Sequence, residues 1–157
     1  MTHSVNPDGF GFLATDLARL VRADFDRAVA GSGIGVTAGE ARTLSHAARA
    51  GLVRQNVLAE RMGVEAMTVT GFLDRLEAKQ LIRRVADPAD RRAKLVQVTE
   101  AADEVLATIK QLGTTTRAKA SAGMDARDWE RFMSVLKAAR DNLAGCRAAP
   151  TSQGPVA

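Results

Sequence analysis

Between Gln55 and Thr99 the chain reads QNVLAERMGVEAMTVTGFLDRLEAKQLIRRVADPADRRAKLVQVT, and three features of this stretch set the fold. Gln55 to Met62 has helical spacing and is closed by Gly63. A second helical segment follows from about Glu65 to Lys79, with Val69, Phe72, Leu73 and Leu76 at i, i+3, i+4 and i+7. The period then changes. Leu81 to Ala86 is a short run bounded by a turn, and Lys94 to Thr99 is rich in β-branched residues. Between them stands Asp87-Pro88-Ala89-Asp90-Arg91-Arg92, where Pro starts a turn and the aspartates stabilise it. The pattern predicts helix, tight turn, helix, then a two-stranded hairpin with a basic tip.

Working outward toward the N-terminus, Thr37-Ala38-Gly39-Glu40 reads as a capping box. It opens a helix of roughly Ala38 to Ala50 that stops at Gly51. Before it, Phe10 to Ala30 carries Leu13, Leu17, Leu20, Val21 and Ala28 on one stripe and ends at Gly31-Ser32-Gly33-Ile34-Gly35. On the other side, Thr99 is expected to cap a long helix from Glu100 to about Lys119, with Ala102, Val105, Leu106, Ile109 and Leu112 on one face. Asp125 is expected to cap the last helix, striped by Trp129, Phe132, Met133, Leu136 and Leu143. The tail from Arg147 to Ala157, with Pro150, Ser152, Gly154 and Pro155, is expected to be disordered. The fold class expected is mainly α, a helix-turn-helix with a hairpin, flanked by long N- and C-terminal helices.

The helix pair has the residues that a helix-turn-helix needs. Ala59 is small where the helices cross, Gly63 permits the turn, and Val64 and Val69 fill the angle. The second helix is expected to present Thr68, Thr70, Gly71 and Arg75 outward. Small hydroxylated residues let a helix lie deep in a DNA major groove, and Arg75 could reach a phosphate or a guanine. The hairpin holds Arg83, Arg84, Arg91, Arg92 and Lys94 against Asp87 and Asp90, a local surplus within a chain whose net charge is only +4. Arginine at such a tip suits a narrow minor groove. Asp90 suits a clamp instead, pairing with Arg92 or Arg84 to hold the loop open. The bland readings are two ordinary core helices and a solvated charged turn.

Composition excludes other classes. With 157 residues and 46% hydrophobic content, the chain has material for one domain, or one domain with an extension. Aromatic residues are 4% and tyrosine is missing, so stacking of single-stranded bases has little to work with. Cys146 is the single cysteine and has no partner for an intramolecular disulfide. It stands just before Arg147 at the end of the last helix, and redox sensing is not expected of it. His3 and His46 stand apart from other metal-ligand residues, so no metal and no cofactor is expected. Phosphate loops, nucleophile triads and paired carboxylates with a pocket are all missing, and no enzyme is expected. No signal peptide and no apolar run of membrane-spanning length is expected, and a soluble, cytoplasmic protein is expected.

The run Asp90-Arg91-Arg92, three residues, then Val96-Gln97-Val98-Thr99 resembles the wing signature of MarR-type winged-helix transcription regulators, D-R-R-x-x-x-L-x-L-T. Leu58 to Val64, and Thr68-Val69-Thr70 through Leu76-Glu77, are similar to that family's helix pair, so the match covers residues 37–99. The chain departs from the pattern at Gln80 and Ala102, where the family usually has Gly. It departs again at Arg54, where a hydroxyl cap is common. Gln80 is therefore expected in a left-handed conformation.

The resemblance implies a sequence-specific regulator of double-stranded DNA, a repressor acting as a homodimer on a near-palindromic operator. It implies an N-terminal dimerisation helix in 1–36, the winged helix-turn-helix in 37–99, dimerisation helices in 100–146 and a tail in 147–157. The DNA-facing set is then Arg54, Gln55, Thr68, Thr70, Gly71, Arg75, Arg84, Arg91, Arg92 and Lys94, with Asp90 stabilising the wing. Family members commonly respond to small aromatic or phenolic compounds, and Phe10, Phe12, His46, Arg49 and Met62 are candidate lining residues for such an effector. The alternative is a dimeric small-molecule-binding or protein-interaction module that no longer reads DNA.

Overall fold

Residues 6–148 are described by a computed structural model. In chain order the elements are α1 (Phe10–Ser32), α2 (Ala38–Ala50), β1 (Val53–Arg54), α3 (Gln55–Met62), α4 (Ala66–Ala78), β2 (Ile82–Ala86) and β3 (Lys94–Val98). A 3-10 turn (Glu100–Ala102), α5 (Asp103–Ala120) and α6 (Ala126–Ala148) follow. The chain divides after Arg117, in the last turn of α5, into two units.

Local chemistry explains where the helices of the first unit begin and end. The Glu40 amide donates to Thr37 Oγ1 at 3.3 Å, and the Thr37 amide donates to Glu40 Oε2 at 3.1 Å, so the expected capping box opens α2. Gly63 adopts φ +62° after α3, and the Val64 amide returns to the Ala59 carbonyl at 3.1 Å, closing the tight turn. The end of α4 has the same geometry without the glycine. Gln80 adopts φ +60°, and the Leu81 amide donates to the Leu76 carbonyl at 3.0 Å. A left-handed residue is thus needed here, and a side chain that disfavours it is held there by the strand that follows.

The hairpin is present, with Ile82 opposite Val98 and Ala86 opposite Lys94. The sheet nevertheless has three strands, in the order β1-β3-β2 and all antiparallel, because Val53 and Arg54 pair with Val96 and Leu95 on the far side of β3. Two residues carry no periodicity, so β1 leaves no signal in the sequence. Thr99 does not cap the following helix as expected. Its hydroxyl donates to the Gln80 carbonyl at 2.6 Å, and a 3-10 turn precedes α5. This hydroxyl ties the end of β3 to the strained turn after α4.

Leu44, Leu58, Val69, Leu73, Leu76 and Val96 are fully buried and join α2, α3, α4 and β3 in one core. Gly39 is essential to it: the Phe72 ring of α4 occupies the space in which a Cβ at position 39 would stand. The N-terminal half of α1 contrasts with this core, leaving Phe10, Leu13 and Leu20 more than half exposed. Farther along, Asp24 on α1 accepts from the hydroxyl of the buried Thr116 on α5 at 2.8 Å.

The second unit contains α6. Asp125 Oδ1 accepts the Asp128 amide at 2.7 Å, the expected N-cap. Trp129 and Phe132 pack in a tilted ring pair, and Met133, Leu136 and Leu143 remain exposed. Helix α6 continues through Arg147 to Ala148, where a disordered tail was expected to have begun; the remainder of that tail lies outside the described residues.

Candidate nucleic-acid interface

The surface of α4 is set by its buried side. Val69, Leu73 and Leu76 face the core, which turns Met67, Thr68, Asp74 and Arg75 to solvent, with Thr70 and Gly71 half-buried at the margin. The Thr70 hydroxyl donates to the Ala66 carbonyl at 3.0 Å and accepts a hydrogen bond from Gln55 Nε2. Two predicted base-reading groups are therefore engaged with each other, fixing the start of α3 against α4.

Arg75 is held from below. Its Nε donates to Glu40 Oε1 at 2.6 Å, its guanidinium lies 5.4 Å over the Phe72 ring, and the side chain is still 53% exposed. Glu40 also accepts from Lys79 Nζ at 2.7 Å, so one buried carboxylate on α2 gathers both cations of the last two turns of α4. Burial pushes the Glu40 pKa up, but the Lys79, Arg75 and Thr37 hydrogen bonds outweigh it and hold the group below its ordinary value. Neither Glu40 nor Lys79 was anticipated as part of this face. The partners are 35 and 39 residues apart in sequence, and only the fold brings them together.

The wing carries Arg91, Arg92 and Lys94, all exposed. Asp90 is not the expected ionic clamp. Its Oδ1 accepts the Arg92 backbone amide at 3.1 Å, which shapes the turn and leaves the Arg92 guanidinium projecting. The ionic clamp is Asp87, which accepts Arg54 Nε at 2.7 Å and the Ala89 amide at 2.8 Å. These bonds, the Ala89 amide foremost and Arg54 next, hold the Asp87 carboxyl below its usual range. Arg54 thus braces the base of the wing with part of its guanidinium and remains 41% exposed.

Arg84 departs from expectation. It points inward, with a side chain only 18% exposed, donating to Asp74 Oδ1 at 2.7 Å and Glu77 Oε2 at 2.8 Å. The Glu77 carboxylate also accepts the Arg84 amide at 2.9 Å. Burial alone would lower the Arg84 pKa, yet the two carboxylates raise it above the ordinary arginine value. Arg84 is a strut between β2 and α4, because the alternation of β2 turns it toward the helix and Arg83 outward. Arg83 in turn donates to Gln97 Oε1 at 2.7 Å.

The candidate effector residues stand in different surroundings. Phe10 and Phe12 line an open depression of about 600 Å³ with Asn6, Gly9, Gly11 and Thr15. Met62 is a core residue, with the Thr43 hydroxyl 3.6 Å from its Sδ, because α3 turns that position toward α2. His46 is half-buried and Arg49 exposed. Burial first, then Arg49, Arg61, Arg22 and Arg42, hold the His46 imidazole below its ordinary pKa. Cys146 is exposed, and no cluster of metal-binding side chains occurs among the described residues. Among those residues, too, no helix is long and apolar enough to cross a membrane.

Residues 36–94 match the family model described as MarR family. The transcriptional regulator PA3341, a solved structure, is 33% identical with a TM-score of 0.71, over 87% of this chain and 99% of that one. The chain belongs to the MarR family. It is therefore a DNA-binding transcription regulator, and members of this family are not enzymes. A MarR-family regulator from Rhodococcus sp. RHA1 shares the fold at 23% identity and TM-score 0.71, over 87% of this chain and 94% of that one. BpsR of Bordetella bronchiseptica, whose DNA binding is regulated by 6-hydroxynicotinic acid, shares it at 20% identity and TM-score 0.68, over 89% and 99%. For this MarR-family chain the matched segment runs from α2 through the helix pair α3–α4 and β2 to the wing, ending at the first residue of β3.

Proposed function

We propose that the chain is a homodimeric repressor that lays α4 in successive major grooves of a near-palindromic operator while each wing enters the flanking minor groove. The observation that carries this reading is the outward projection of Arg91 and Arg92 from the wing beside an α4 face that exposes Thr68 and Arg75. In this reading Thr68 meets a base edge and Gly71 lets the helix backbone approach the groove floor, Gln55 and Thr70 brace α3 against α4, and Arg54, Arg75 and Lys94 meet the DNA backbone. Residues 1–36 and 100–146 serve dimerisation, and 37–99 forms the DNA-binding lobe.

Release is by a small aromatic acid. Support comes from BpsR, whose DNA binding is regulated by 6-hydroxynicotinic acid, itself an aromatic acid. The test is a mobility-shift titration on DNA upstream of the protein's own coding region, at several salt concentrations and with added aromatic acids, 6-hydroxynicotinic acid among them. A steep fall of affinity with salt and release by an acid but not by its neutral amide are expected. Equal binding to this DNA and to random duplex would refute the operator reading. Failure of every acid to release bound DNA would refute the effector reading.

A further inference from the structure

Met67 is 87% exposed, more than any other large hydrophobic side chain among the described residues. A lone exposed apolar residue is ordinary on a protein surface. The position of this one is not, because it stands in the first turn of α4, whose N-terminal residues are those that approach base edges when such a helix enters a groove. Gly71 lies one turn farther along the same row and has no side chain to shield it. A Cβ there would meet nothing nearer than Arg75 Nη1 at 3.7 Å. The Thr70 hydroxyl is already committed to Ala66 and Gln55. The first turn therefore offers DNA one free hydroxyl, Thr68, and one free apolar group, the Met67 thioether.

Major-groove edges carry donors and acceptors on every base pair, and a single apolar group, the 5-methyl of thymine. An unbranched, polarizable side chain on a groove-facing turn matches that group and no other feature of the groove floor. We propose that Met67 is a specificity-determining residue that reads the 5-methyl group of one thymine in each half-site. This rests on the reading of α4 as the groove-entering helix.

The experiment begins by selecting duplexes from a random pool with the full-length chain. Each thymine of the selected site is then replaced by uracil, which removes only the methyl group, and affinity is measured by fluorescence anisotropy. For the wild type, uracil at one position per half-site is expected to weaken binding about fourfold, the factor for one apolar carbon taken out of water. Met67→Ala should bind thymine and uracil duplexes equally at that position and keep its affinity for random duplex. Met67→Leu should restore most of the discrimination. Because the side chain is exposed, unchanged thermal unfolding of both variants is expected and is measured alongside. A thymine preference that persists in Met67→Ala, or an equal loss of affinity on random duplex, overturns the assignment while the operator reading stands. If no site is selected at all, both fall together.

Discussion

Glu40 shows how one residue can hold a recognition surface without touching DNA. Its carboxylate is buried and receives Arg75, Lys79 and the Thr37 amide. Glu40→Gln keeps the shape and a capping oxygen but removes the charge, and is expected to cost about 2 kcal/mol at neutral pH by urea unfolding. The folded-state pKa lies below the ordinary value of 4.5, so the ionised group stabilises the fold above that pH and its contribution is lost as pH falls through the folded value. The stability gap between wild type and Glu40→Gln should therefore be full at pH 7 and shrink below 4.5; a gap independent of pH would remove the ionic explanation. Gln80 is a residue-scale case of the opposite kind, with φ +60° at a position suited to glycine. Gln80→Gly is expected to stabilise the protein by about 0.5–1 kcal/mol, the left-handed strain relieved less the extra freedom of the unfolded chain. An unchanged or lower midpoint in urea would show that the side chain compensates for the strain.

At the scale of elements, the helix pair and hairpin were legible because each has its own local grammar: apolar spacing, a glycine in the turn, and an Asp-Pro start to the wing. What could not be read was how the elements are fastened together. Arg84 was one basic residue among five in the hairpin, and nothing local distinguishes it from Arg91 or Arg92. Its inward direction depends on which side of β2 faces α4, where Asp74 and Glu77 receive it, and local sequence does not show that. The local pattern points to Asp90 as the ionic clamp, and only the pairing with Arg54, 33 residues from Asp87, gives that part to Asp87 instead. The two classes of arginine should separate by experiment. Arg84→Ala is expected to lower stability by about 1–2 kcal/mol, since it leaves Asp74 and Glu77 without their shared cation. Arg92→Ala should leave the thermal midpoint within about a degree and weaken DNA binding, reducing the magnitude of the salt slope by about 2, one for each subunit of the dimer. If Arg84→Ala proved thermally neutral, or if Arg92→Ala unfolded the wing, the division into strut and contact would be wrong. Packing gives a parallel case: Gly39→Ala should destabilise strongly, since Phe72 already fills the required space.

For the whole molecule, the apolar stripes of α1 and α6 matter most. Both were visible in the sequence as helical periodicity, but periodicity cannot say whether a stripe is covered by its own chain or by another. Leu13 and Leu20 on α1, and Val135 and Leu143 on α6, are each more than half exposed in the single chain. Repeated apolar exposure along two long helices is costly for an isolated protein in water and is removed when a second copy covers it. Two-fold pairing would also place two copies of α4 at a fixed separation, which gives a near-palindrome its meaning. Replacing exposed apolar residues with charge should uncouple these levels. Leu136→Glu with Leu143→Glu is expected to give a monomer by light scattering at micromolar concentration. The buried core of α2, α3, α4 and the sheet would be intact, as judged by cooperative unfolding. Such a monomer should bind one half-site of the operator as the wild type binds that half-site, yet gain little from the second, because the two recognition helices are no longer joined. Retention of full operator affinity by a demonstrated monomer would mean that the apolar stripes serve something other than pairing, and that each winged lobe reads DNA alone.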